Sequence, residues 1–168
     1  ELGDRDSALF QFLNGGKRSV QLDLASEGGR AQLLDLAADA DLVIEDFGPG
    51  GLARLGLSLE DFQARNPALC LISISPFGLE GPWAHRPATE FTLQAEVGGT
   101  AYRGLPSRGP LQAGGRLGEW ATGSCAAVGM LGAWRSARES GRGQHVDVSM
   151  FESMSLTMTT YHDLFGQF

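Results

Sequence analysis

The sequence has little positive charge. It carries 13 lysines and arginines against 20 aspartates and glutamates, and the formal net charge of its 168 residues is −7. A protein that binds a polyanion needs clustered basic residues, and no such cluster is present. We therefore expect no nucleic-acid partner.

Long apolar runs and cysteines are also scarce. No run approaches the roughly 20 apolar residues of a membrane-spanning helix, and no signal-type segment opens the sequence. We therefore expect that the protein does not associate with a membrane and that it is located in the cytoplasm. The two cysteines, Cys70 and Cys125, lie in apolar contexts that favour free buried thiols over a disulfide. Because the sequence opens on Glu1 and closes within a helical pattern, we expect it to be part of a longer chain.

Several familiar catalytic and binding motifs are missing as well. There is no P-loop, no GxGxxG after a first strand, no HExxH and no GxSxG. The three histidines (His85, His145 and His162) lack the spacing of metal ligands, and we expect no metal.

What the sequence does contain is an alternation of strand and helix patterns. Strands are predicted at 17–24, at 41–47, at 69–77 and after Gly141. Helices are predicted to follow the N-caps Ser26 and Ser58, and to cover residues 89–100, about 115–139, and 150 onward. The continuous apolar run LCLISISPF is typical of a buried strand in a parallel sheet. The pattern predicts an α/β fold with a mostly parallel sheet and flanking helices.

Glycine is abundant, with 24 residues. The loop GPGG (48–51) lies between a strand and a helix, where backbone N–H groups can meet phosphate or simply form a turn. Arg54 follows this loop. It can be interpreted as a phosphate ligand or as a solvated surface arginine. The predicted long helix contains Gly123, Gly129 and Gly132, which are costly in a helix unless they permit close packing against another helix or a second chain.

Taken in order, these segments resemble a known family. The blocks NGGKRSVQLDL, ADLVIEDFGPGGLARLGLSLEDF, LQAEVGGT and SGRGQHVDVSMFES are similar to those of the family III CoA-transferases (CaiB/BaiF), which include formyl-CoA and carnitine CoA-transferases and α-methylacyl-CoA racemases. The resemblance covers nearly the whole chain. It implies a Rossmann-like fold, with residues 1–168 forming the central part of a large CoA-binding domain and a small second domain outside this segment. It also implies an interlocked homodimer.

The resemblance implies coenzyme A, as acyl-CoA, for the ligand and assigns its contacts residue by residue. These fall on Leu22, Asp23, Leu24, Ala25, Asp46, Phe47, Gly48, Arg54, Pro87, Ala88 and Thr89. Many family members have asparagine where Asp46 stands, and the lysine or histidine often found near 87–89 is missing here. An acid beside a polyphosphate is repulsive, so we expect Asp46 to contact adenine or ribose.

The same resemblance implies the catalytic residues. The nucleophilic aspartate of the family begins the small-residue helix in the setting G-D-x-x-x-G, and here Glu119 occupies its place between Gly118 and Trp120. Glu90 is implied as a supporting active-site acid, although a plain N-terminal helix acid fits it equally well. The implied reaction moves CoA between an acyl-CoA and a carboxylic acid through a carboxylate-bound anhydride and thioester.

Two alternatives stay open at this point. Because Glu119 replaces an aspartate, the chain could be a catalytically degenerate CoA-binding half of a tandem enzyme. It could also be a relative of the 2-methylacyl-CoA racemases, although these place a histidine where Thr89 stands.

Overall fold

The structure is a computed structural model that describes residues 7–101, 103, 105 and 107–158. The helices among these residues are α1 Ala8–Asn14, α2 Glu27–Ala37, α3 Gly51–Arg54, α4 Leu59–Arg65, α5 Glu90–Glu96, α6 Leu117–Ser140 and α7 Met150–Met158. The strands are β1 Leu42–Glu45, β2 Cys70–Ser75 and β3 His145–Ser149. No helix of this part of the chain is long and apolar enough to cross a membrane.

The three strands form one parallel sheet in the order β1-β2-β3. In the register, Leu42 pairs with Cys70 and Leu71 pairs with His145. The central strand β2 is buried along nearly its whole length, as expected for an apolar run between two neighbours. The α/β class and the parallel sheet predicted from the sequence are confirmed.

Helices cover both faces of the sheet. On one face, Cys70 and Ile72 of β2 pack against small side chains of α6, namely Ala126, Ala133 and Ala137. On the other face, Val43 of β1 packs with a cluster that contains Ala37 of α2, Phe62 of α4 and Leu69, which directly precedes β2. A third cluster joins α5 to α7 through Leu93, Val97, Met154 and Met158.

Local capping signals set several helix starts. Ser26 accepts a hydrogen bond from the backbone nitrogen of Gly29 at 3.0 Å, and α2 begins at the next residue. Ser58 and Asp61 form a reciprocal capping box at the start of α4. Both caps were predicted from the sequence and are confirmed.

The strand predicted over 17–24 is wrong. These residues have no strand partner in the described part of the chain, and Val20 is 63% exposed. An alternating pattern forms a strand only when a neighbouring strand satisfies its backbone groups. Helix α1, in contrast, was not predicted at all.

The expectation that the α6 glycines are closely packed holds only in part. A Cβ on Gly129 would lie 3.3 Å from Cγ1 of Val146, so this glycine lets α6 approach strand β3. A Cβ on Gly123 or Gly132 would meet no described atom within 4 Å. Close packing therefore explains Gly129, and its partner is a strand rather than a helix.

Candidate active site

A cleft of about 600 Å³ opens at the carboxyl ends of β1 and β2. Parallel sheets commonly bind ligands at this edge. The cleft is lined by Ile44, Glu45, Asp46, Ile74, Ser75, Pro76, Arg116, Glu119, Thr122, Gly123 and Met150. It therefore joins the end of β1, the end of β2 and the first two turns of α6.

Glu119 lies in the first turn of α6 and its side chain is 40% exposed. Its Oε1 accepts a hydrogen bond from Nε of Arg116 at 2.7 Å, and Nη2 of the same arginine also contacts Oε1. Oε2 has no hydrogen-bond partner among the described residues. One carboxylate oxygen is thus held and the other is left available to a reactant.

Arg116 precedes α6 in an unusual backbone conformation. Its φ of 56° and ψ of 47° place it in the left-handed region, and it is the one non-glycine residue with positive φ in the described chain. Such a conformation costs a non-glycine residue roughly 1 kcal/mol or more. The arginine ends the preceding loop, starts α6 and contacts the carboxylate one turn later.

A second cleft of about 440 Å³ shares this ion pair. Its walls are Leu9 and Leu13 of α1 and Trp120, Gly123, Ser124 and Ala127 of α6, together with Arg116 and Glu119. Trp120 is 46% exposed, and its indole N–H donates to the carbonyl of Gly115 at 3.1 Å. Glu119 accordingly lines two clefts, of which the larger contains further carboxylates and the smaller is mainly apolar.

Glu90 lies beside the start of α6. It begins α5, and its Oε1 accepts hydrogen bonds from the backbone nitrogen of Gly118 at 2.7 Å and from Nε2 of Gln94 at 2.8 Å. Its Oε2 is buried without a hydrogen-bond partner. A carboxylate at this place satisfies a free N–H of the helix terminus and is itself stabilised by the helix dipole.

Gly118 leaves room for this arrangement. A Cβ there would lie 2.6 Å from Sδ of Met154 and 2.8 Å from Oε2 of Glu90. The structure thus places two protein side chains against Gly118.

Gln94 is a site residue that sequence reasoning missed. It is fully buried, and its side-chain amide forms two hydrogen bonds with the backbone of Ala113: Nε2 donates to the carbonyl at 3.1 Å, and Oε1 accepts from the nitrogen at 2.7 Å. Through Nε2 it also contacts Glu90. In the sequence, the only signal for this role was a polar residue one helical turn after Glu90. The bond to Ala113 leaves no pattern, because Ala113 lies in an irregular loop.

Two acids follow one another at the end of β1. Asp46 is exposed and lines the 600 Å³ cleft together with Glu119. Glu45, which the sequence analysis did not single out, is only 8% exposed and its Oε2 accepts from the backbone nitrogen of Phe47 at 2.7 Å. The cleft is therefore rich in carboxylates.

The GPGG loop depends on its glycines. Gly48 and Gly50 have φ of 72° and 66°, in the left-handed region that favours glycine. The guanidinium of Arg54 donates to the carbonyl of Pro49 at 2.8 Å and, more weakly, to that of Phe47 at 3.4 Å. Arg54 is exposed but not merely solvated, because it holds the loop together.

The segment 22–25 forms a turn before α2. Oδ1 of Asp23 accepts from the nitrogen of Ala25 at 3.1 Å, and Nη1 of Arg30 donates to the carbonyls of Leu24 and Ala25 at 3.2 and 2.9 Å. These residues, Leu22 included, lie outside the walls of both clefts described above.

The segment 87–89 leads into α5. Oγ1 of Thr89 accepts from the nitrogen of Thr92 at 3.2 Å, which caps the helix. Pro87 contributes to a small pocket of about 180 Å³ with Phe77, Arg86 and Phe91. Pro87, Ala88 and Thr89 do not line the cleft that holds Glu119.

Comparison with known proteins decides the family. The model of CoA-transferase family III matches residues 1–164. The chain belongs to this family.

Individual relatives agree with this assignment. The chain is 39% identical to an acetyl-CoA:oxalate CoA-transferase of Acetobacter aceti over 152 residues, and 34% identical to a succinate–glutarate CoA-transferase of Agrobacterium fabrum. Each alignment covers 90% of this chain, but only 39% and 38% of the respective relative. The chain thus spans about two fifths of the length of these curated proteins.

Solved structures show the same fold. A CaiB/BaiF family protein from Brucella suis superposes with a TM-score of 0.81 at 35% identity, covering 90% of this chain and 41% of that one. A hypothetical protein from Mycobacterium tuberculosis gives a TM-score of 0.80 at 32% identity, with 89% and 43% covered.

Within this family III chain, the predicted site residues fall into three groups. Glu119 and Asp46 line one cleft. Glu90 lies directly behind the first turn of α6. The remaining residues implied as CoA contacts lie at the starts of α2, α3 and α5, except Arg54, which is the last residue of α3, and their role in binding stays a prediction.

Proposed function

We propose that the protein containing this chain is a CoA-transferase that uses Glu119 as its nucleophile. The observation that carries the proposal is the arrangement of this carboxylate. It lies in a cleft at the carboxyl edge of the sheet, where Arg116 holds Oε1 and no described residue binds Oε2. The family membership supports the reaction class.

The proposed reaction divides one exchange into simpler steps. Oε2 of Glu119 attacks the thioester carbon of the acyl-CoA, the C–S bond breaks, and CoA leaves as a thiolate, which gives a mixed anhydride. The thiolate then attacks the glutamyl carbonyl and expels the donor carboxylate, which leaves CoA bound to Glu119 as a thioester. The acceptor acid takes the CoA by the reverse sequence.

The surroundings of Glu119 suit this role. The Arg116 guanidinium binds Oε1 of Glu119 and so fixes the position of the carboxylate. The N-terminus of α6 adds a positive potential that stabilises negative charge beside it. In this proposal Glu90 supports catalysis indirectly, because it holds the backbone of Gly118 next to the nucleophile.

The residues proposed for coenzyme A fit its chemistry in part. Phe47 is 45% exposed and offers a ring face to adenine. Arg54 has more N–H donors than its two loop contacts use, so it can bind a phosphate while it supports the GPGG loop. Asp46 is an acid and suits ribose hydroxyls better than phosphate. In addition, the segments 22–25 and 87–89 remain proposed contacts on the strength of the family resemblance.

The assembly and its location are also proposals. We propose that residues 1–168 form part of the large CoA-binding domain, that the whole protein forms an interlocked homodimer, and that it acts in the cytoplasm on an acyl-CoA and a carboxylic acid. Support comes from the family resemblance and from the names of relatives, which act on oxalate, succinate and glutarate.

The racemase alternative needs a base at position 89. Here the Thr89 hydroxyl is the N-cap of α5 and accepts the Thr92 backbone N–H, which gives it a structural task instead. We therefore favour transfer over proton abstraction.

Trapping of the intermediate tests the proposal. The full-length protein is incubated with a set of acyl-CoAs without acceptor, digested, and the peptide that contains Glu119 is examined by mass spectrometry. We expect a CoA thioester on Glu119 that disappears in Glu119→Gln. CoA binding without adduct or turnover would instead support the degenerate CoA-binding half, and loss of α-deuterium from a 2-methylacyl-CoA would support the racemase.

A further inference from the structure

Arg116 is the one cationic residue that lines either cleft within the described chain, and it lines both. Three carboxylates, Glu45, Asp46 and Glu119, line the larger cleft with it. A carboxylic acid that enters this cleft meets like charges, and among the described side chains that line it the guanidinium is the one with the opposite charge.

The charge of Glu119 changes during the proposed reaction. As a free carboxylate it is the counter-ion of Arg116. Once Glu119 is acylated, as an anhydride or as a CoA thioester, it is neutral. The guanidinium of Arg116 then has no ionic partner, although it still lies one helical turn from Glu119. Of the other two carboxylates, Glu45 already accepts a hydrogen bond from Phe47.

We propose that Arg116 is the binding group for the carboxylate of the substrate acid. This inference rests on the proposed function of Glu119. The acceptor carboxylate replaces the lost counter-ion on the guanidinium, whose planar fork matches a carboxylate. One carboxylate oxygen is then beside the glutamyl carbonyl that it must attack.

The step is balanced. An oxygen of the acceptor carboxylate forms a bond to the glutamyl carbonyl carbon, the C–S bond of the thioester breaks, and CoA leaves as a thiolate, with no proton or redox change. By reversibility, the donor carboxylate is released next to the same guanidinium. Arg116 therefore serves both acids, and it alternates between Glu119 and the substrate.

The backbone of Arg116 supports a dedicated role. The residue keeps a left-handed conformation that glycine or asparagine would adopt at lower cost. Arg135 pairs with Glu139 on the same helix at 3.2 Å, but both of those side chains are strongly exposed and line neither cleft. Arg135 is accordingly a matched control for the loss of an arginine from an ion pair on α6.

The test compares Arg116→Asn and Arg116→Lys with Arg135→Gln in the full-length protein. Asparagine tolerates the left-handed backbone, which protects the fold, and lysine keeps the charge without the fork. Three quantities are measured: the KM for the acceptor acid at saturating acyl-CoA, the yield of the Glu119–CoA thioester without acceptor, and the rate at which added acceptor discharges that thioester.

We expect Arg116→Asn to raise the acceptor KM by about 10- to 100-fold, as for loss of a charge-assisted hydrogen bond, and to slow discharge of a preformed thioester by acceptor. Lysine should restore part of the affinity, and Arg135→Gln should match the wild type. An unchanged acceptor KM and discharge rate in Arg116→Asn would overturn the inference. If the wild type forms no Glu119 thioester, the proposed function itself fails, and the inference falls with it.

Discussion

Oε1 of Glu90 lies 2.7 Å from the backbone nitrogen of Gly118, so a side chain of α5 caps the first turn of α6. The two residues are 28 positions apart in the chain. Because Glu119 follows Gly118 directly, this hydrogen bond fixes the backbone that carries the proposed nucleophile.

Replacement of Glu90 tests the strength of this cap. Glu90→Ala removes the acceptor for Gly118 and for Gln94, and we expect a loss of about 2 kcal/mol in the free energy of unfolding. Glu90→Gln keeps one acceptor oxygen and should lose less. Urea denaturation gives both values, with the exposed Glu139→Ala on α6 as control, expected within about 0.5 kcal/mol of wild type. Equal stability of Glu90→Ala and wild type would argue against the cap.

Two glycines of α6 should respond oppositely to alanine. Gly118→Ala places a methyl group against Met154 and Glu90, and we expect destabilisation by about 1–3 kcal/mol. Gly132→Ala meets no described atom and should stabilise the helix by about 0.5–1 kcal/mol. Thermal and urea unfolding measure both signs. Destabilisation by Gly132→Ala would reveal a neighbour at that face.

The buried amide of Gln94 should hold the loop that leads into α6. Gln94→Leu leaves the backbone N–H and carbonyl of Ala113 without their partners, so we expect a loss of about 2 kcal/mol in stability and faster hydrogen exchange at Ala113. The exposed Gln32→Leu on α2 is the control. Unchanged exchange at Ala113 would show that the loop is held by other contacts.

Shortening the side chain of Glu119, the proposed nucleophile, tests the placement of its carboxylate. Glu119→Asp withdraws the carboxylate by roughly 1.5 Å and removes it from Arg116, and displacements of about 1 Å can cost about 100-fold in rate. We expect kcat to fall by about that factor while the KM for acyl-CoA changes little. A variant that is faster than the wild type would mean that this site is built for aspartate.

The sequence predicts much of the fold because its signals are local. The caps Ser26 and Ser58 form hydrogen bonds with residues three positions away. The apolar run at 70–75 forms the central strand, and its continuous apolar character can be recognised without knowledge of contacts distant in the chain. The segment 17–24 shows the limit of such signals, since its alternating pattern finds no strand partner in the described chain.

The site itself depends on distant contacts. The resemblance of the sequence to a known family drew attention to Glu119 and Glu90, but the bonds from Gln94 to Ala113 and from Glu90 to Gly118 span 19 and 28 positions. Neither bond leaves a periodic trace in the chain. The pairing of Arg116 with Glu119 has helical spacing, but its position between two clefts depends on α1 and on the ends of β1 and β2.

The central claim is that Glu119 exchanges an oxygen atom with the substrate acid in each turnover. The direct measurement uses acceptor acid labelled with oxygen-18, the full-length protein and acyl-CoA, followed by mass spectrometry of the peptide that contains Glu119. Because the acceptor oxygen bridges the anhydride and remains on the glutamate when the thiolate attacks the acyl carbon, we predict the gain of one heavy oxygen at Glu119. Turnover that leaves Glu119 unlabelled would contradict the account.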